Sequence, residues 1–127
     1  EIADKLSAFK PLKGVYGNID GFDVRSVYPE TLRWKCEDVD ILMTHIGGYP
    51  GRYAPAVKTQ MKISPPKLFI SGHSHILKII YDKQFDCLHM NPGAAGKQGW
   101  HTMRTIIRFA IDGNIMKDCE VIELGKR

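Results

Sequence analysis

Lys67-Leu68-Phe69-Ile70-Ser71-Gly72-His73-Ser74-His75 reads as a short apolar strand, Lys67 to Ile70, running into a turn that carries two imidazoles. Pro65-Pro66 stops the preceding segment, and Ser71-Gly72 bends the chain once the apolar run is over. Two histidines in a glycine turn are hard to justify by packing and point to metal binding or catalysis. The same arrangement recurs upstream. Val39 to Thr44 is a mostly apolar strand that delivers His45, and Leu12 to Tyr16 is a short strand ending in the turn Gly17-Asn18-Ile19-Asp20-Gly21. Taken singly, His45 has the blander reading of a hydrogen-bonded structural residue and Asn18 that of a turn residue. As a set they say more. In open α/β sheets the loops beyond the strand carboxyl ends converge on one edge, so side chains from separate strands meet there around a ligand. Imidazole nitrogens and an amide oxygen are workable donors for Mn, Fe, Zn or Ni. His73 and His75, two apart in an irregular turn, can address two neighbouring ions, and such a pair grips phosphate oxygens and lowers the pKa of a bridging water.

The remaining elements extend outward from this frame. Ile2, Leu6 and Phe9 give one apolar helical face over residues 2 to 9, closed by Pro11 and Gly14. A loop runs to Glu30, Thr31 to Cys36 is a strand, and Glu37-Asp38 supplies the turn into the Val39 strand. Gly47, Gly48, Pro50 and Gly51 predict a loop, and Val57 and Met61 predict a helix over Tyr53 to Met61. Leu77 to Tyr81 and Cys87 to Met90 read as a hairpin around Asp82 to Asp86, leading into the loop Asn91-Pro92-Gly93-Ala94-Ala95-Gly96. Thr102 to Ile111 and Ile115 to Leu124 flank Asp112-Gly113-Asn114, a hairpin signal. Strand and helix alternate in the first half and strands dominate the second, which predicts an α/β fold of sheets covered by helices.

Composition excludes several classes. A chain of 127 residues, 43% hydrophobic and 25% charged, suits one globular domain. The net charge of +4 is spread without a basic run, which fits mild attraction to anions and does not predict nucleic-acid binding. Cys36, Cys87 and Cys119 are odd in number and widely separated, so neither a disulfide framework nor a zinc ribbon is expected; reduced thiols in the cytoplasm are. No apolar stretch approaches the roughly 20 residues of a membrane span.

Gly17-Asn18-x-Asp20, Thr44-His45, Ser71-Gly72-His73-Ser74-His75 and Asn91-Pro92-Gly93, in this order and with these separations, resemble the calcineurin-like metallophosphoesterase superfamily. More narrowly, they are similar to its small single-domain phosphodiesterase branch from bacteria and archaea. The resemblance covers nearly the whole chain. It implies a sandwich of two β-sheets with helices outside (α/β/β/α) and a pair of divalent ions at the sheet ends. Manganese is the expected metal, with Ni, Fe or Zn as substitutes. By position, Asn18, His45 and His73 match ligands to one ion, His75 matches a ligand to the other, and Asp20 matches a carboxylate that orients the site. Asn91 and Gly93 match the loop that faces the phosphate, whose backbone N–H groups serve whatever the side chain, so Ala94 in place of the frequent Ser is tolerated there. The implied reaction is hydrolysis of a small phosphodiester by a metal-bridging hydroxide.

Such domains begin with a strand ending in Asp-x-His and a second ending in Gly-Asp, and neither motif occurs in residues 1–127. The expectation is a single, N-terminally incomplete domain, with its first strands, which belong to the middle of the sheet, in upstream sequence. Ile19 stands where many relatives carry a proton-donating His, so the leaving group must be protonated from elsewhere or be a good one. The alternative reading is a catalytically inactive module of the same fold used for protein assembly, similar to the retromer subunit. Among lesser candidates, His89 is expected to be structural and Trp100-His101 to line the cleft or pack beside it. Tyr49 and Tyr53 are candidates to stack on a nucleobase or aryl ester, while Arg52, Lys97 and Arg104 are expected at the surface. A homodimer is the base-rate expectation.

Overall fold

The computed structural model describes residues 1–127. Its centre is a five-stranded sheet in the order β1 (Thr31–Cys36), β2 (Val39–Thr44), β5 (Leu68–Ile70), β7 (Cys87–Pro92), β6 (Leu77–Asp82). The pairs β2–β5 and β5–β7 are parallel, while the β1–β2 and β6–β7 pairs at the edges are antiparallel. Parallel central strands are covered on both faces and so carry apolar side chains in both directions. Ile41 and Leu42 are neighbours in β2 that point to opposite sides, as do Leu68 and Phe69 in β5.

On one face Leu42, Phe69 and Cys87 meet Val57 and Met61 of α3 (Pro55–Ile63), with Tyr53 and Phe85 at the margin. On the other, Val39, Ile41, Leu68 and Met90 meet Ile107, Phe109 and Ile111 of β8 (Met103–Asp112) and Met116 of β9 (Ile115–Lys126). The β8–β9 hairpin forms a second sheet of its own, with register shifts at Arg104/Thr105 and Arg108/Ala110. Helix, five-stranded sheet and two-stranded sheet are thus stacked in that order, three of the four layers of the α/β/β/α sandwich that the family resemblance implies.

Several expectations are corrected. Leu12 to Tyr16 pairs with no strand; its tie is the Tyr16 amide donating to the Pro29 carbonyl at 3.0 Å. A strand exists only against a partner edge, and no strand of residues 1–127 runs beside this segment. The predicted loop after Gly21 contains a four-residue helix, α2 (Phe22–Arg25), and the glycine-rich loop after His45 folds into a small ladder, β3 (Gly48–Tyr49) with β4 (Arg52–Tyr53). α3 begins at Pro55 and not at Tyr53, because proline suits the first helical turn and Tyr53 is occupied by β4. β7 runs on through Asn91 and Pro92, which the sequence reading put in a loop. The N-terminal α1 (Ile2–Phe9) forms as predicted but buries none of its residues. Its Ile2 and Leu6 line an apolar groove of about 500 Å³ with Leu12, Val15 and Val24. No helix is long and apolar enough to cross a membrane.

Candidate metal centre

Because β2, β5 and β7 are parallel, their carboxyl ends share one edge of the sheet. His45 follows β2, the turn 71–75 follows β5, and Asn91 lies near the end of β7. Backbone hydrogen bonds tie these ends together: Gly72 N donates to His45 O at 2.9 Å and Ser71 N to Met90 O at 3.0 Å. Gly47 is required at the exit of β2, since a Cβ there would lie 2.3 Å from Phe69 Cζ.

The turn itself is strained. His73 (φ 67) and His75 (φ 60) both occupy the left-handed region, which costs a non-glycine residue about 1 kcal/mol or more. Asn91 holds them there. Its Nδ2 donates to Gly72 O at 3.2 Å and to Ser74 Oγ at 3.1 Å, while its Oδ1 accepts from Gly93 N at 3.0 Å. Asn91 is fully buried and its polar atoms are used within the chain. The geometry gives Asn91 a positioning role behind the turn, with the Gly93 amide bonded to its side-chain oxygen. Gly93 (φ +76) admits no side chain, because a Cβ would lie 2.3 Å from Thr105 Oγ1.

The Asn18 turn is built separately. Asp20 Oδ2 accepts from Gly17 N at 2.6 Å, closing the turn on itself. Arg25, from α2, then covers its outer side: Nε donates to Asp20 O at 2.7 Å and Nη2 to Asn18 O at 3.3 Å, with the guanidinium 4.4 Å from the centre of the Tyr16 ring. Sequence reasoning missed Arg25, since a four-residue helix leaves no periodic signal.

These pieces bring three donor atoms together. Asn18 Oδ1 lies 2.9 Å from His45 Nε2 and 3.2 Å from His73 Nδ1, and the two nitrogens are 3.3 Å apart. Donors on a single ion with bonds of about 2.1 Å are separated by about 3.0 to 3.4 Å, so the triangle fits one divalent cation. The ring planes are 76° apart with centroids at 5.1 Å. Burial holds the His45 pKa below its ordinary value; neighbouring His73 adds to the shift, Asp20 opposes it and His75 adds a little more. The imidazole is therefore neutral near pH 7, as a ligand must be. His75 borders the same cavity of about 440 Å³, which Ile19 and Asp20 also line, but its ring sits against His101 and apart from the triangle.

The remaining candidates are structural or peripheral. His89 is fully buried, stacked on Phe69 at 5.3 Å, with Nε2 2.9 Å from Ser71 Oγ, and burial pushes its pKa down to about 4. Tyr53 donates to Asp82 Oδ2 at 2.6 Å and packs on Phe69, which removes it from the candidates for substrate stacking. Tyr49 is edge-on to His89 and bonded through its hydroxyl to Ser74, beneath the turn. Arg104 reaches the Leu124 carbonyl at 2.9 Å, and Trp100 is fully exposed.

Residues 1–114 match the calcineurin-like phosphoesterase superfamily domain. A search of curated proteins returns no match. Among solved structures, the chain is similar to a Thermotoga maritima protein (24% identity, TM-score 0.66, covering 97% of this chain and 73% of that one). It is also similar to an archaeal phosphodiesterase (20%, TM-score 0.58, 87% and 67%). A third likeness is to Vps29 from Entamoeba histolytica complexed with zinc (18%, TM-score 0.61, 88% and 68%). At these identities the structures share the fold, and the sequence match is what assigns membership: the chain belongs to the calcineurin-like phosphoesterase superfamily.

Proposed function

We propose that the protein is a metal-dependent phosphodiesterase acting on a small phosphate ester in the cavity beside Asn18, His45, His73 and His75. The observation that carries this reading is the donor triangle of 2.9, 3.2 and 3.3 Å, made by residues 27 to 55 positions apart in sequence. Asn18, His45 and His73 hold one ion and His75 contributes to a second, with manganese expected and nickel, iron or zinc able to replace it. When bound, the ions supply a water of lowered pKa and neutralise charge on the phosphate oxygens. The chain's own groups hold that arrangement in place. Asp20 and Arg25 fix the Asn18 turn, and Asn91 fixes the two histidines. Ile19, 84% exposed beside the cavity, offers no proton to a leaving group, so aryl or other low-pKa leaving groups are preferred.

Hydrolysis of bis(p-nitrophenyl) phosphate with added Mn²⁺ tests the proposal. His73→Ala is expected to remove the metal-stimulated rate, and turnover unchanged by this substitution would overturn the assignment.

A second reading, a non-catalytic assembly module, is favoured by one observation. The apolar groove under α1 and the exposed Phe9 and Phe22 form a surface of the kind that marks protein contacts. Such a module would show no metal-dependent turnover.

A further inference from the structure

His101 stands outside every motif that carries the family resemblance, yet it faces His75. Their ring centroids are 5.1 Å apart at 86°. The His45–His73 pair shows the same separation, with planes at 76°. With metal–nitrogen bonds of about 2.1 Å, two imidazoles on one tetrahedral ion have centroids about 5 Å apart.

Three further facts concern the nitrogens themselves. His101 Nε2 is 2.8 Å from the Gly96 carbonyl oxygen, which can only accept, so Nε2 carries the proton and Nδ1 carries the free lone pair. That Nδ1 is buried and has no hydrogen-bond partner. An unpaired buried acceptor is costly, about 1 to 3 kcal/mol, unless something occupies it. An imidazole whose far nitrogen donates to a backbone carbonyl is also the usual form of a metal-binding histidine. Finally, the backbone at Gly99 packs directly against both rings. Gly99 has φ +128, and a Cβ on it would be 2.1 Å from His75 Nδ1 and 3.0 Å from His101 Nδ1. Both Nδ1 atoms therefore lie on the Gly99 side of their rings, and only glycine lets the two imidazoles pack this closely.

We infer that His101 is a metal ligand that shares an ion with His75, so that the second ion of this centre is held by two imidazoles from this chain. The inference rests on the metal-centre reading for the ion and does not depend on hydrolysis. Two neutral imidazoles suit borderline ions such as Zn²⁺, Ni²⁺ or Fe²⁺ and leave open positions for water or a phosphate oxygen. The glycine loop 93–99 acquires a function thereby: it carries His101 to the site from beyond β7.

The experiment is metal binding by the full chain, stripped of metal and titrated with Zn²⁺, with stoichiometry read by elemental analysis after dialysis. Wild type is expected to bind two ions. His101→Ala and Gly99→Ala should each lose one of them, or bind it at least tenfold more weakly, while His73→Ala loses the other. Long-range ¹H–¹⁵N spectra of the wild-type imidazoles serve as a readout free of any folding defect in the variants: the His101 Nδ1 resonance should move to its metal-bound position as Zn²⁺ is added. Two ions bound by His101→Ala with wild-type affinity, together with an unmoved His101 Nδ1, would overturn the assignment of His101 and leave the metal centre intact. Absence of zinc binding in the wild type would overturn both.

Discussion

Asn91 Nδ2 donates to the carbonyl oxygen of Gly72 at 3.2 Å, so the end of β7 grips the turn that carries His73 and His75. The same amide group reaches Ser74 Oγ, and its oxygen takes the Gly93 amide. One buried side chain thereby keeps two left-handed histidines in place.

Replacing Asn91 with Ala leaves the Gly72 carbonyl and the Gly93 amide without their partner. An expected loss of about 3 kcal/mol in urea unfolding follows from two such groups. Zinc affinity should fall at least tenfold along with it, because the His73 and His75 backbones can relax. Unchanged affinity in a destabilised variant would show that the turn holds itself.

Arg25 acts on the Asn18 turn through carbonyl oxygens and a ring stack, at an exposed position. Arg25→Ala is expected to change stability by under about 1 kcal/mol. Metal affinity should nonetheless drop about tenfold, since Asn18 Oδ1 loses its fixed location. Arg25→Lys should not restore it, because one ammonium lacks the planar fork that spans several acceptors. Calorimetric titration with Zn²⁺ compares the three proteins.

His89 makes stability depend on pH. Its pKa is about 4 in the folded chain and near 6.5 when unfolded, so the unfolded state binds more protons between those values. Its contribution is complete above pH 6.5 and is lost as pH falls toward 4, by about 3 kcal/mol at most. His89→Gln should flatten this part of the profile in denaturant titrations at pH 4.5 to 7. An equally steep profile in the variant would assign the acid sensitivity to other groups.

At Gly47 an added Cβ would meet Phe69 Cζ at 2.3 Å and Ser71 Cβ at 2.9 Å. Phe69 is fully buried between sheet and α3 and has little room to yield. Gly47→Ala should therefore destabilise by about 1 to 3 kcal/mol. Differential scanning calorimetry would register it as a lowered midpoint, whereas a wild-type midpoint would mean that the β2 exit moves freely.

Local pattern in the sequence determined a good deal of this protein. Val39 to Thr44 is apolar enough to be covered on both faces and runs as β2 between the predicted residues; Asp112-Gly113-Asn114 turns β8 into β9. A strand followed by a polar turn marked His45 and His73 without knowledge of any contact. Those signals are local because burial, turn geometry and helical period are decided within a few residues. What only the tertiary structure decided involves pairs remote in the chain. Leu12 to Tyr16 has strand chemistry but pairs with no strand of residues 1–127. Asn91 proved to be the brace of the histidine turn, Arg25 the clamp of the Asn18 turn, and His101 the neighbour of His75. The donor triangle joins Asn18 to His45 and His73 across 27 and 55 residues. Its distances are set by the parallel register of β2 against β5 and by side-chain hydrogen bonds between loops, and neither leaves a periodic trace in the sequence.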